Sequence, residues 1–530
     1  MSTLQKERRA TEVKLPNVLA GCNCISNVGK TSNVEEITYL FPDIFDQYRV
    51  EYVEAKTTAF KPMKIGVVLS GGQAPGGHNV IAGIYDFVEK GNGILYGFLH
   101  GPKGIFNGDY KRITGDIINE YKNLGGFDMI CSGRDKIETA EQFAACANVC
   151  NSLALDGLII IGGDDSNTNA AMLAQYFKGN HVYTKVIGCP KTIDGDLKNN
   201  IIETSFGFDT ATKIYSELIG NICTDALSAQ KYYHFIRLMG RSASHVTLEC
   251  ALQVHPNITL IGEEILNAKK SVKQITDEIV QVIVKRAAAG KNYGIVLLPE
   301  GLIEFIPEMK VLISELNAIL AQGSLPEKDI TEKLTEDSRK LFVYLPASLR
   351  AQLTLDRDAH GNVKVSQIET EKFIIECVQK ELETLKAAGT YTGTFNPLNH
   401  FFGYEGRCGM PSQFDCYYCY ALGYNAAHLI QDDRTGLMSI IGNLSQGYQA
   451  WTAGGYPLTS MMAMEKRGGV MKPVIAKALV ELKGAPFTFF SKNREEWTMA
   501  DQYLSPGPIQ YFGSSAAAIT KTLELESGKQ

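Results

Sequence analysis

The sequence predicts an α/β protein: two Rossmann-like α/β domains with mainly parallel sheets, an N-terminal leader and a mainly helical insertion. Three observations carry this expectation. The chain has 530 residues, more than one hydrophobic core usually supports. Short apolar runs alternate with amphipathic segments of helix length, the pattern of buried parallel strands joined by crossover helices. The runs also end in glycine-rich or acidic loops, and parallel sheets hold their ligands at those strand ends.

The elements follow in order. Residues 1–62 read as an irregular or partly helical leader, rich in Asn, Thr and Glu. From Met63, "MKIGVVLSGG" reads as a buried strand and turn, followed by an amphipathic helix over about 78–90. "GGFDMICSGRDK" is expected to end another strand, and "LDGLIIIGGDDS" and "KVIGCPKTIDGD" end two more. These make a first α/β domain over 63–206, completed by about 410–490. A second set makes another α/β domain over 207–409: "YYHFIRLMGR", a helix over about 243–255, "NITLIGEE", a basic helix to about Gly290 and "YGIVLLPEG". Charged stretches such as "EKDITEKLTEDSRKLF" mark the helical insertion, over about 305–394. "FFGYEGRCGMPSQFDC" returns to loop and helix, and 491–530 form a C-terminal extension.

Composition narrows the function classes. Hydrophobic residues make up 45% and charged residues 21%, ordinary for a globular chain. A net charge of −6 argues against a chain-wide nucleic-acid surface, while leaving room for a local cationic pocket. No apolar run reaches the roughly 18 residues that a membrane span needs. The stretch "MSTLQKERRATEVKLP" has no apolar core, and the 12 cysteines lack secreted-module spacing. Both fit a reducing, cytoplasmic setting. Cys416 and Cys419 form a C-x-x-C and Cys22 and Cys24 a C-x-C. Neither has a matching second pair or a His cluster, so packing thiols are preferred to zinc ligands.

The chemistry sits in the loops. "SGGQAPGGHN" lets backbone approach an anion closely and leads into a helix N-terminus, but matches neither the Walker nor the dinucleotide spacing. "GGDDS" places Asp164 and Asp165 where a phosphate cradle is expected. "PKTIDGD" gathers Lys191, Thr192, Asp194 and Asp196: a cation, a hydroxyl and two carboxylates at one strand end. A helix-capping Asp turn is the plain alternative for that loop. "MGRSASH" offers Arg241 for bidentate phosphate contact, with a surface ion pair as its alternative. Glu300 in "PEG", the loop Tyr404, Glu405, Gly406 and Arg407, and Arg134 and Lys136 of "SGRDK" add further cations and carboxylates. The set suits a phosphorylated substrate with a phosphoryl donor.

In order and context, these motifs resemble the phosphofructokinases, and within them the long, pyrophosphate-dependent form. The resemblance runs from Met63 to the C-terminal third; the leader and the insertion carry no usable motif. It implies reversible phosphoryl transfer from pyrophosphate to the C1 hydroxyl of D-fructose 6-phosphate, giving fructose 1,6-bisphosphate and phosphate. It also implies Mg2+ as cofactor, no nucleic-acid or membrane partner, and a homodimer or higher homo-oligomer. By the same resemblance Asp164 holds the metal and Asp194 is the base, with Lys191 and Arg241 beside it in catalysis. Gly71, Asp165 and Lys191 set donor binding and choice. Thr192, Asp194, Met239, Gly240, Arg241, Glu300, Tyr404, Glu405, Gly406 and Arg407 match sugar-phosphate positions. Lys231 and Tyr232 reach another subunit's substrate, and Arg134 and Asp196 are further candidates.

Donor choice turns on Asp165. ATP-dependent relatives usually carry glycine there and at Lys191, so Asp165 is expected to fill and charge the space of an ATP α-phosphate. An ATP-dependent 6-phosphofructokinase is the nearest rival reading. A dinucleotide-dependent oxidoreductase fits the glycine spacing poorly. A non-catalytic regulatory subunit sits badly with Asp164, Asp194 and Arg241 all present.

Overall fold

The apolar runs become the central strands. In the computed structural model, which describes residues 2–21, 24–30, 34–53, 59–320, 325–355, 363, 368–467 and 470–528, contacts divide the chain into two units. The first comprises Met1–Ile214, Tyr404–Ala478 and Ile509–Ser527, and the second Tyr215–Gly403, Leu479–Pro508 and Gly528–Gln530.

In the first unit, strands Leu437–Gly442, Lys185–Thr192, Gly157–Gly162, Lys64–Leu69 and Ile94–Phe98 lie side by side and parallel. The three inner runs are buried almost throughout, as strands covered on both faces must be. Antiparallel strands flank them: Tyr110–Ile113 on one side, then Thr452–Pro457, Tyr48–Val53 and Cys24–Lys30 on the other. Helix Gly77–Lys90 follows the glycine turn and crosses helix Gln413–Gln431 with almost no gap. A Cβ on Gly83 would stand 2.1 Å from the Tyr420 carbonyl oxygen, and one on Gly423 1.9 Å from that of Val80. Glycine at both crossing points is therefore required, and the turn before the first helix is held rigidly.

The second unit has a smaller parallel sheet, ordered Ile258–Thr259, Gly294–Pro299, Tyr233–Leu238 and Pro397–Phe402. Its core continues into the insertion. Helices Pro307–Leu320, Glu336–Tyr344, Ala347–Leu355 and Thr370–Ala387 place Leu312, Leu316, Phe342, Leu349 and Phe373 in one cluster with Phe235, Val296 and Leu298. The described part of 305–394 is mainly helical and packed. Among the described residues no helix is long and apolar enough to cross a membrane.

Several sequence expectations are corrected. "DMICS" is not a strand: Phe127–Ser132 is turn and loop, and a single bridge from Ser70 to Gly133 joins it to the sheet. Gly126 has φ +97° and Cys131 φ +56°, conformations that a strand cannot use. The strand in that place is Ile94–Phe98, whose mixed run "ILYGF" conceals its burial. The leader is partly helical, with helices Thr3–Ala10 and Glu35–Leu40, but it also carries strand Tyr48–Val53, which extends the large sheet through pairing with Gly454 and Gly455. "NITLIGEE" yields only a two-residue strand, Ile258–Thr259, and the start of helix Gly262–Asn267. Cys416 and Cys419 are buried free thiols, and burial pushes Cys416 up to about 12. Cys22 lies outside the described residues.

Candidate active site

Three loops of the first unit converge on the glycine turn. Strand Lys64–Leu69 runs into Ser70, Gly71 and Gly72, with Gly71 at φ +86°. At the end of strand Lys185–Thr192, the buried Lys191 donates from Nζ to the Gly72 carbonyl at 2.6 Å. A Cβ on Gly72 would meet an Arg407 guanidinium nitrogen at 3.0 Å and one of Arg134 at 3.5 Å. On Gly71 it would stand 3.4 Å from Lys191 Nζ. Cations from three separate loops thus surround a turn with no side chain of its own, an arrangement suited to a compact polyanion. Burial pulls Lys191 down to about 8, and Arg407 and Arg134 push the same way against Asp194 and Asp164.

The carboxylates stand on the adjoining strand ends. Asp164 and Asp165 open helix Asp164–Gly179, at its electropositive end. The start of that helix is tied to the sheet: Ser166 Oγ donates to Ser70 Oγ at 2.8 Å, and Asn167 Nδ2 donates to the Gly162 and Gly163 carbonyls at 2.6 and 2.9 Å. Asp165, 48% exposed, pairs with Lys136 at 3.4 Å. In the next loop, the Asp194 N–H donates to Thr192 Oγ1 at 3.0 Å and Thr192 Oγ1 donates to Asp196 Oδ1 at 3.3 Å. Asp194 Oδ1 is buried with no hydrogen-bond partner among the described residues. Burial first, then Asp194 and Asp164, push Asp196 up to about 7, while Lys477 and Thr192 oppose them.

Lys477 was invisible in the sequence. Its Nζ lies 3.4 Å from Asp164 Oδ2 and 3.9 Å from Asp196 Oδ2. Burial lowers its pKa, but Asp164, Asp196 and Asp194 outweigh burial and hold it above the ordinary lysine value. The signal lies in tertiary placement alone, since "KPVIAKALV" has neither a glycine turn nor a motif. Ser70 and Ser166 lie inside the quoted turns, and only the fold brings their hydroxyls together. Among the described residues no group of three His, Cys, Asp or Glu could hold a metal by itself. Asp164 and its neighbours instead present hard oxygens, one or two at a time. That donor set suits a divalent cation completing its shell with water and phosphate oxygens.

Tyr404 opens the short helix Tyr404–Arg407 and is 72% exposed; Glu405 is exposed, Gly406 is buried, and an Arg407 guanidinium nitrogen donates to the Gln73 carbonyl at 3.3 Å. This loop, assigned from sequence to 207–409, clusters with the first unit. In the second unit, Met239, Gly240 and Arg241 follow strand Tyr233–Leu238, and Glu300 follows the neighbouring Gly294–Pro299. Gly240 has φ +134°, and its N–H donates to Glu300 Oε2 at 3.3 Å. Arg241 is exposed. Lys231 and Tyr232 precede the same strand, with the ammonium over the phenol ring at 5.0 Å. Six strand residues, at about 3.3 Å each, put them roughly 20 Å from Arg241 within one chain. The two ends of that strand therefore present separate groups of polar side chains.

A sheet carrying phosphate-compatible turns and paired carboxylates at its strand ends suits an α/β phosphotransferase. The chain belongs to the phosphofructokinase family, whose model matches residues 64–430. It is 54% identical to an Arabidopsis thaliana protein named pyrophosphate–fructose 6-phosphate 1-phosphotransferase subunit beta 1, over 100% of this chain and 95% of that one. It is 49% identical to pyrophosphate–fructose 6-phosphate 1-phosphotransferase of Treponema pallidum, over 99% of this chain and 97% of the relative. Among solved structures, a pyrophosphate-dependent phosphofructokinase from Nitrosospira multiformis matches with TM-score 0.56 at 15% identity, covering 85% of this chain and 96% of that one. That likeness speaks for the fold.

Proposed function

We infer that this chain is a pyrophosphate-dependent phosphotransferase: it moves a phosphoryl group reversibly between pyrophosphate and the C1 hydroxyl of D-fructose 6-phosphate, giving fructose 1,6-bisphosphate and phosphate. The observation that carries this reading is near-full-length identity of about one half with relatives named for that reaction. Asp165 and Lys191 stand where donor choice is expected to be made, and both favour the compact donor.

In this reading the first unit supplies the donor half of the reaction. Lys191, Arg134 and Arg407 hold pyrophosphate over the Gly71 turn, and Asp165 with Lys136 closes the space that a nucleotide would need. Asp164 holds Mg2+, which when bound neutralises charge on the moving phosphoryl group. As the sugar C1 oxygen bonds to phosphorus and the bridging P–O bond breaks, Asp194 takes the hydroxyl proton and phosphate leaves. The partnerless Oδ1 of Asp194 supports that role, since a base needs a free lone pair at the reacting proton. Asp196 accepts from the Thr192 hydroxyl and so anchors it.

The second unit supplies Met239, Gly240, Arg241 and Glu300 to the sugar phosphate, alongside Thr192, Tyr404, Glu405, Gly406 and Arg407 of the first. The separation of Lys231 and Tyr232 from Arg241 supports their serving a neighbouring subunit's substrate, and hence a homodimer or a larger homo-oligomer, in a cytoplasmic enzyme. A coupled assay tests the function, with pyrophosphate or ATP as donor and the reverse reaction started by phosphate. Turnover with pyrophosphate in both directions is expected, with ATP use far weaker. Equal or greater turnover with ATP would overturn the donor assignment, and no transfer from either donor would favour a regulatory subunit.

A further inference from the structure

We propose that Lys477 is a built-in competitor for the divalent cation: it holds Asp164 before metal binds, then yields it and turns to the incoming pyrophosphate. The inference rests on the reading of Asp164 as the metal-holding carboxylate. Its ground is the place of the ammonium, 3.4 Å from Asp164 Oδ2, on the carboxylate read as the metal holder, and 3.9 Å from Asp196 Oδ2.

The backbone around Lys477 is fixed on both sides. Ile475 N–H donates to Thr168 Oγ1 at 3.0 Å, and that hydroxyl donates to the Asp164 carbonyl at 2.9 Å. Ala476 N–H donates to the Met461 carbonyl at 2.8 Å, and Ala478 N–H to that of Asp196 at 2.7 Å. The segment is therefore welded to both carboxylate loops, immediately after the hairpin Met462–Arg467 and Val470–Ile475. Against this fixed backbone, four methylenes let the ammonium swing without moving the chain. A third of the side chain is exposed to water.

The consequence has a sign. An ammonium and a divalent cation repel each other at one carboxylate, so the lysine weakens metal binding to the free enzyme. Pyrophosphate oxygens give the displaced ammonium a new partner and the metal further ligands. Lysine loss should then strengthen metal binding alone and weaken binding of the metal–pyrophosphate complex. A merely structural lesion would weaken both.

The test uses the full chain, with wild type, Lys477→Met, Lys477→Arg and Asp164→Asn. Mn2+ is titrated and followed by electron paramagnetic resonance; pyrophosphate is titrated calorimetrically at fixed excess Mg2+. Lys477→Met is expected to bind Mn2+ roughly three- to tenfold tighter and pyrophosphate at least about threefold weaker, with Lys477→Arg near wild type. Unchanged or weaker Mn2+ binding, or pyrophosphate binding that does not weaken, overturns the proposal. If Lys477→Met fails to fold, Lys477→Gln carries the same test. Asp164→Asn separates the two levels: Mn2+ binding like wild type refutes the metal assignment itself. Mn2+ loss there, with no gain in Lys477→Met, refutes only the competition.

Discussion

The two units end their parallel strands in opposite ways. In the first, the strand ends interlock: Lys191 is buried on Gly72, Arg407 and Arg134 crowd the same glycine, and Asp164 and Asp196 face Lys477. In the second, Gly240 and Glu300 share one hydrogen bond of 3.3 Å and Arg241 stands exposed. The proposed donor half is preorganised by the chain's own charges. The proposed sugar half presents backbone and an exposed guanidinium, which a ligand would complete. Preorganised charges should thus govern turnover, and the open ones substrate affinity.

Substitutions test that contrast, from the largest expected effect downward. Asp194→Ser should lower kcat by about a thousandfold, the scale of a lost general base, with fructose 6-phosphate binding largely kept. Near-normal kcat in that variant would remove Asp194 from the chemistry. Arg241→Met should raise KM for fructose 6-phosphate by about 10- to 100-fold, the worth of one or two hydrogen bonds to a charged group. Its KM for pyrophosphate should stay put; a matched rise in both would blur the division between the units. Gly301→Ala should cost the second unit about 2–3 kcal/mol in denaturant unfolding, because the new Cβ would lie 1.8 Å from the Arg241 carbonyl oxygen. Gly72→Ala meets only the flexible ends of Arg407 and Arg134, so stability should hold while KM for pyrophosphate rises severalfold.

Donor choice and pH give smaller effects. A bare charge about 4 Å from a phosphate would be worth roughly 4 kcal/mol at a dielectric of about 20. Asp165 is half exposed and paired with Lys136 at 3.4 Å, so solvent and partner discount that figure. Asp165→Gly should therefore raise ATP use relative to pyrophosphate by about tenfold, and more when combined with Lys191→Gly. A double variant with no gain would refute steric and charge exclusion. Lys191 titrates near 8 in the folded chain, so kcat/KM for pyrophosphate should fall as pH rises through about 8. Lys191→Met should flatten that limb. Between about 8 and the ordinary lysine value of 10.5 the unfolded chain keeps a proton that the folded chain has released. Stability contributed by Lys191 thus rises with pH across that window.

Much of this could be read from contiguous residues. "LDGLIII" and "YGIVLL" are legible because a strand buried on both faces must be apolar throughout, whatever lies beside it. "GGDDS", "PKTIDGD" and "MGRSASH" are legible because each places its chemistry within a few residues of one strand end. Tyr48–Val53 and Ile94–Phe98 were not, since what makes them strands is a partner distant in sequence and half-polar burial. "DMICS" misled for the converse reason: it is apolar enough for a strand, but Gly126 and Cys131 turn it into loop.

By itself the sequence determined the fold class, the family and the residue types gathered at each strand end, because periodicity and motif are local properties. Tertiary structure alone decided which charges face one another. It put Lys136 on Asp165, gathered Arg134 and Arg407 around Gly72, and brought Lys477 from beyond the hairpin onto Asp164. Coulomb interaction depends on distance in space, and 313 positions of chain separate Lys477 from Asp164 (477 − 164).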